Sequence, residues 1–129
     1  MKKKILIADD EEIIQRLIKR AFQDLPYTLF SAFDGEEALQ LAFKERPDLI
    51  LLDLDMPKKN GVEVLQGLRS NVLTQAIPII VITGGSKLAN REKCLKMGAR
   101  DYITKPFQIE EFKTRVENLL IGGENPTVA

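Results

Sequence analysis

The sequence contains no histidine and a single cysteine, Cys94. One cysteine cannot form a disulfide within the chain, and without histidine the chain lacks the usual ligands of a zinc or haem site. This cysteine usage favours a reducing cytoplasm as the setting of the protein. We expect Cys94 to be a small, buried or half-buried residue of a helix, and redox sensing is the less favoured alternative.

The chain also lacks an excess of charge of either sign and any long apolar run. Its 19 Lys and Arg residues balance 19 Asp and Glu residues, so charge does not favour direct binding to nucleic acid or to a membrane surface. The apolar run after Lys2–Lys4 ends at Ala8, which is too short for a signal peptide or a membrane span. The 129 residues, of which 44% are hydrophobic, fit one domain. We place this domain at residues 1–120 and expect 121–129 to be a tail or linker stub.

Short apolar runs alternate along the chain with stretches in which apolar residues recur at helical spacing. The predicted strands are Ile5–Ala8, Tyr27–Ala32, Leu49–Asp53, Ile77–Thr83 and Asp101–Thr104. The predicted helices are an apolar stripe from Ile13 to Leu25, a segment around Ala38–Phe43, a segment after Gly61, a weaker one over Lys87–Met97 followed by Gly98 as the C′ residue, and Ile109–Leu120. This alternation implies right-handed crossovers between parallel strands. We therefore predict an α/β fold of the flavodoxin-like kind, a doubly wound five-stranded parallel sheet in the order 2-1-3-4-5 with helices on both faces.

Polar residues stand where several of the predicted strands end. They are Asp9 and Asp10 after strand 1, Asp53 at strand 3, Thr83 at strand 4 and Lys105 after strand 5. In a parallel sheet these side chains emerge on the same edge, where three carboxylates repel one another unless a cation neutralises them. A cluster of oxygen ligands suits Mg²⁺. A hydroxyl and an ammonium beside the metal could bind a phosphoryl group, and a carboxylate held opposite could be the nucleophile that forms an aspartyl phosphate.

The same residues carry a family resemblance. The chain resembles the receiver domain of two-component response regulators over about residues 3–120, through Ala8-Asp9-Asp10, the pattern D-x-D-M-P-x-x-x-G that begins at Asp53, Thr83, and the run from Asp101 to Phe107. The resemblance implies a signalling phosphoacceptor rather than an enzyme, which takes a phosphoryl group onto Asp53 from a histidine kinase or a phosphotransfer protein. It also implies that the domain assists its own phosphotransfer and dephosphorylation.

The resemblance further implies a metal site and a phosphate contact. Asp10, Asp53 and the backbone carbonyl of Asp55 would bind Mg²⁺, and Asp9 would act mainly through bound water. Lys105 would contact the phosphate.

A switch is implied as well. Thr83 and Tyr102 would be the pair that reports the phosphate, and the signal would leave through the face formed by helix 4, strand 5 and helix 5. A cis peptide bond is expected between Lys105 and Pro106. A downstream effector domain or protein would be the recipient, and the chain itself would be a monomer or a weak homodimer.

Two positions depart from the commonest pattern of this family. Gly84 follows Thr83 where alanine is frequent, so phosphate access is kept while Gly84-Gly85 should loosen the loop. Asp55 adds a side-chain carboxylate beside the site. We hypothesise that this carboxylate slows the attack of water on the acyl phosphate or alters metal affinity.

Three other functions are compatible with an α/β fold of this kind. The main alternative is a protein-interaction scaffold on the same fold that signals without phosphorylation. A phosphatase of the haloacid-dehalogenase type is disfavoured, because that family places its D-x-D motif on the first strand and here Asp53-Leu54-Asp55 lies on the third. A flavin or dinucleotide module is disfavoured by the acidic, glycine-free first turn at Asp9–Glu12.

Overall fold

The computed structural model describes residues 2–84 and 88–121 of the chain. Within these ranges five strands alternate with five helices. The strands are β1 (Lys3–Ala8), β2 (Tyr27–Ala32), β3 (Leu49–Asp53), β4 (Ile79–Thr83) and β5 (Asp101–Thr104). The helices are α1 (Glu12–Ala21), α2 (Gly35–Glu45), α3 (Gly61–Arg69), α4 (Leu88–Lys96) and α5 (Ile109–Leu120).

The strands form one parallel sheet in the order β2-β1-β3-β4-β5. This is the predicted fold and strand order. The register aligns the carboxyl ends of the strands, because Ala8 is opposite Leu52 and Thr83 is opposite Thr104. The residues that follow β1, β3, β4 and β5 therefore share one edge of the sheet.

The sheet is buried on both faces, which explains the uninterrupted apolar runs of its central strands. Successive residues of a strand point to opposite faces, so Ile50 and Leu52 pack in one core while Leu49 and Leu51 pack in the other. The first core includes residues of α2 and α3, and the second includes residues of α1 and α5. Cys94 lies in the first core as a free, fully buried thiol, as expected, and burial raises its pKa.

Two predicted strands and the first predicted helix differ from the structure. β1 begins at Lys3 rather than Ile5, and α1 ends at Ala21 rather than at Leu25. β4 begins at Ile79 rather than Ile77, because Pro78 has no N–H to donate to the sheet. In α1 the predicted apolar stripe is wrong at one edge, since Ile13 and Leu17 are 72% and 42% exposed. Gln15, which the stripe left out, is instead fully buried.

The ends of the helices follow local signals. Asp34 caps α2 through the N–H of Glu37, and Asn60 forms a capping box with Glu63 at the start of α3. Gly98, the second residue after α4, has a φ of 101°, as its predicted C′ role requires.

Some expectations fall on residues that the structure does not describe. They are the loop contribution of Gly85, the start of helix 4 at Lys87, and the tail 122–129, which lie outside the described residues. In the part of the chain that is described, no helix is long and apolar enough to span a membrane.

Candidate functional site

Three carboxylates meet at the carboxyl edge of the sheet. Asp53 ends β3, and Asp9 and Asp10 follow β1, the neighbouring strand. One carboxylate oxygen of each lies within 4.8 Å of the others. Asp9 and Asp53 are buried, whereas Asp10 is exposed. The structure therefore brings the predicted acidic cluster together.

Burial and mutual repulsion change the protonation of the two buried acids. Burial raises the pKa of Asp53 to about 7, with the charge of Asp9 adding to the effect and the charge of Lys105 opposing it. Burial also raises the pKa of Asp9, against the lowering effect of Lys105 and of the backbone N–H of Glu11. In the absence of a further cation, the pair therefore binds protons more readily than exposed carboxylates do.

Lys105 supplies the positive charge of the cluster. Its Nζ lies 2.8 Å from Oδ2 of Asp9 and 3.7 Å from Oδ2 of Asp53. The carboxylate of Glu11, which was not predicted as part of the site, also lies 2.7 Å from Nζ of Lys105. Burial alone would lower the pKa of Lys105, but its bonds to Asp9 and Glu11 outweigh burial and raise it. The ammonium therefore stays charged.

The β1–α1 turn is fixed by hydrogen bonds that the sequence did not reveal. Gln15 Nε2 lies within hydrogen-bond distance of three backbone carbonyls, those of Ile7, Asp9 and Ala32, at 2.9, 3.1 and 3.0 Å. The backbone N–H of Glu11 donates to Oδ1 of Asp9 at 2.8 Å. Gln15 thus joins β1 to β2 beneath Asp9 and holds the turn in place. Its signal in the sequence was a polar residue at the edge of the apolar face of a helix.

The loop between β3 and α3 lies against Asp53. Gly61 donates its N–H to the carbonyl of Leu54 at 2.9 Å. A Cβ at Gly61 would collide with the backbone of Asp53 and Leu54, so this close approach requires glycine. Asp55 is exposed; its backbone N–H lowers the pKa of Asp53, while its charge acts in the opposite direction. Asp55 is therefore close enough to influence Asp53 electrostatically.

The predicted switch residues lie on β4 and β5. Thr83 is buried at 1% exposure and Tyr102 is buried at 8% among the residues of the first core. The backbone N–H of Lys105 donates to the carbonyl of Thr83 at 2.8 Å, which links the two strand ends. The peptide bond between Lys105 and Pro106 is cis, as predicted. In this structure Tyr102 already points inward.

A second buried acid lies outside this cluster. Asp101, at the start of β5, is 2% exposed and accepts hydrogen bonds from Arg115 of α5 at 3.1 Å and from the N–H of Tyr102 at 2.8 Å. Arg115 also pairs with Glu111 at 3.0 Å. Sequence reasoning quoted Asp101 as part of a motif and missed this pair. Asp101 joins β5 to α5 and is not a ligand of the cluster at the edge.

The acidic cluster fits a hard divalent cation. Oδ2 of Asp9 is buried and forms an ion pair with Nζ of Lys105 at 2.8 Å. The cluster of Asp9, Asp10 and Asp53 offers only oxygen ligands, which Mg²⁺ prefers. A divalent cation would also relieve the repulsion that Lys105 alone leaves between the two buried acids.

Comparison with known proteins agrees with this arrangement. The family model described as the response regulator receiver domain matches residues 5–117. This chain belongs to the response regulator receiver domain family. Receiver domains are signalling phosphoacceptors, and their acidic site binds Mg²⁺. The resemblance inferred from the sequence is thereby confirmed.

Similar proteins include transcriptional regulators and receiver domains of known structure. The alkaline phosphatase synthesis transcriptional regulatory protein PhoP of Bacillus subtilis is 42% identical over 96% of this chain and 51% of PhoP. The receiver domain of the Francisella response regulator 1452 superposes with a TM-score of 0.86 at 36% identity, covering 93% of this chain and 98% of that one.

A third similar protein contains the expected ion. The receiver domain of the sensor histidine kinase PA1611 from Pseudomonas aeruginosa has a TM-score of 0.85 at 28% identity, covering 95% of this chain and all of that one, and its active site cleft coordinates magnesium. The present chain spans about half the length of the curated relatives it matches.

Proposed function

We propose that this receiver domain takes a phosphoryl group onto Asp53 and uses it as a signal. The observation that carries the proposal is the position of Asp53, buried at the carboxyl edge of the sheet with Asp9, Asp10 and Lys105 around it. Burial protects an acyl phosphate from general solvent, and the surrounding groups supply the charges that phosphoryl transfer needs.

The transfer itself needs few protein groups. A carboxylate oxygen of Asp53 forms a bond to phosphorus while the bond between phosphorus and the donor's histidine nitrogen breaks, and the electron pair returns to the imidazole, which takes up a proton. Lys105 stabilises the negative charge on the phosphoryl oxygens. Mg²⁺, when bound, draws in those oxygens and neutralises their charge. Asp10, Asp53 and the carbonyl of Asp55 would hold the ion, with Asp9 acting through water.

Signalling would proceed through the switch pair. Thr83, whose carbonyl is bonded to the backbone of Lys105, lies next to the strand that carries Tyr102. Phosphate at Asp53 would favour the state in which Thr83 turns toward the phosphate and Tyr102 stays inward. The face formed by α4, β5 and α5 would then present the change to a partner.

The partners follow from the family and from the surface. A histidine kinase or phosphotransfer protein would dock on α1, because Ile13 and Leu17 form an exposed apolar patch one to two turns from the acidic cluster. The recipient would be an effector domain or protein, in keeping with the transcriptional role that PhoP's name states. With balanced charge, this chain itself is not expected to bind nucleic acid.

Labelling by a small phosphodonor tests the proposal. The parent should incorporate phosphate from acetyl phosphate in the presence of Mg²⁺ and lose the signal on chelation, and Asp53→Asn should not be labelled. Asp24→Asn, an exposed substitution away from the site, is the matched control and should be labelled like the parent. Failure of the parent to incorporate phosphate would favour the scaffold that signals without phosphorylation.

A further inference from the structure

Lys105 does not contact its carboxylates equally. Its Nζ is 2.7 Å from Glu11 and 2.8 Å from Asp9, but 3.7 Å from Asp53. The ammonium therefore lies toward the β1–α1 turn and away from the proposed phosphoacceptor. A phosphoryl group on Asp53 would need one of these short contacts to be exchanged for a contact with its own oxygens.

Glu11 is the contact that can be exchanged. Its side chain is 52% exposed, whereas that of Asp9 is 1% exposed. A half-exposed carboxylate can return to water at little cost, but a buried carboxylate that loses its cation pays the full cost of desolvation. Lys105 can therefore leave Glu11 more readily than it can leave Asp9.

The position of Glu11 in the fold supports a role for its side chain in this contact. Glu11 is the N-cap residue of α1, yet its side chain makes no capping hydrogen bond. Its backbone alone serves the helix and the turn, through a carbonyl that accepts from Gln15 and an N–H that donates to Asp9. The Glu11 carboxylate contacts Lys105, a residue 94 positions away.

We propose that Glu11 is a positioning residue that holds Lys105 away from Asp53 in the unphosphorylated domain and competes with the phosphoryl group for it. This inference rests on the proposed function. Glu11 lowers the readiness of the site to accept a phosphoryl group, and its release accompanies phosphorylation. The strength of the Glu11 contact then sets how readily Lys105 becomes available to the donor.

Binding of beryllium trifluoride, a phosphoryl analogue, tests the competition directly. The dissociation constant is measured by ¹⁹F NMR at saturating Mg²⁺ for the parent, Glu11→Gln and Glu12→Gln. Glu12 is the matched control, because it is the adjacent acid, is exposed and pairs with Arg16 instead of Lys105. We expect Glu11→Gln to bind the analogue about two- to fivefold more tightly, as a half-exposed ion pair permits. Glu12→Gln should bind like the parent.

A second background separates competition for Lys105 from a general effect of charge. In the Lys105→Gln background, Glu11→Gln should no longer tighten the binding of beryllium trifluoride. Direct repulsion between the Glu11 carboxylate and beryllium trifluoride, in contrast, would still be relieved by Glu11→Gln in that background. Equal affinities of Glu11→Gln and Glu12→Gln, weaker binding by Glu11→Gln, or a gain that survives in the Lys105→Gln background would each overturn the inference. If the parent itself does not bind the analogue with Mg²⁺, the proposed function fails first.

Discussion

Asp9 and Asp53 are buried at the carboxyl ends of neighbouring strands, and each has a pKa above its ordinary value. Burial is the main cause in both, and the charge of Asp9 further raises the pKa of Asp53. The pair is costly for the fold when both acids are ionised. It resembles an active-site arrangement in which charge is concentrated for a cation or a reacting group.

This cost predicts a pH-dependent gain in stability for Asp53→Asn in the absence of Mg²⁺. The pKa of Asp53 is about 7 in the folded protein and about 3.9 in an unfolded chain. Protonation therefore favours the folded state. The stability that Asp53 contributes is complete below about pH 4 and is lost as the pH rises through about 7. At pH 8 Asp53→Asn should therefore unfold at a higher denaturant concentration than the parent. The gain in the free energy of unfolding should be up to about 4 kcal/mol.

Denaturant titrations from pH 4 to pH 8 check this prediction. The gain should shrink toward pH 4, and Mg²⁺ should reduce it at pH 8 by stabilising the parent. Asp24→Asn, an exposed control, should change the free energy of unfolding by no more than about 0.5 kcal/mol. Parent and Asp53→Asn of equal stability at pH 8 would show that Asp53 is not destabilised by its surroundings.

Gln15→Leu should destabilise the domain by about 1–3 kcal/mol, because three buried carbonyls lose their shared donor. Part of the loss is offset, since Oε1 of Gln15 is itself buried without a hydrogen-bond partner. Thermal and denaturant unfolding measure the effect. Gln23→Leu, on an exposed position after α1, is the control, and an equal effect of both substitutions would contradict the role of Gln15.

Asp55→Asn should shorten the lifetime of the phosphorylated domain and weaken Mg²⁺ binding, each by about two- to fivefold. The reason is that the exposed carboxylate of Asp55 already acts on the charge of Asp53. Loss of phosphate after removal of the donor gives the lifetime, and calorimetric titration gives the metal affinity. If neither quantity changes, the Asp55 side chain has no modulating role.

Ile13→Ser and Leu17→Ser should slow phosphotransfer from any histidine kinase that phosphorylates the parent, by about fivefold or more. Both side chains belong to the exposed apolar patch on α1. Labelling by acetyl phosphate should be unchanged, because the chemistry at Asp53 is untouched. Val72→Ser is the control, since Val72 is 80% exposed between α3 and β4, at the opposite edge of the sheet. An equal loss with Val72→Ser would place the docking surface elsewhere.

The α1 helix shows where sequence reasoning succeeded and where it failed. The period of its apolar residues predicts the helix correctly but not its end, because α1 ends at Ala21 and the stripe continues to Leu25. At about 100° per residue, however, the stripe from Ile13 to Leu25 covers about half of the helix circumference, which is more than the sheet can bury. Ile13 and Leu17 lie at its outer edge, and Gln15 lies beside Phe22 at the buried one.

The sheet and its edge were predictable for a different reason. Buried parallel strands are uniformly apolar, so the polar residues that follow them are conspicuous and must share an edge once the strands are parallel. Contacts between distant side chains carry no such pattern. Glu11 and Lys105 are 94 positions apart, and Asp101 and Arg115 lie on different elements 14 positions apart. Only the folded structure shows which acid each cation contacts.

The central claim is that Asp53, among the four aspartates near the site, receives the phosphoryl group. The protein is phosphorylated by acetyl phosphate with Mg²⁺, the acyl phosphate is reduced with borohydride to homoserine, and the modified residue is located by peptide mass spectrometry. We predict homoserine at position 53 alone, and none when Mg²⁺ is chelated. Homoserine at position 9, 10 or 55 with Asp53 unmodified would contradict the account.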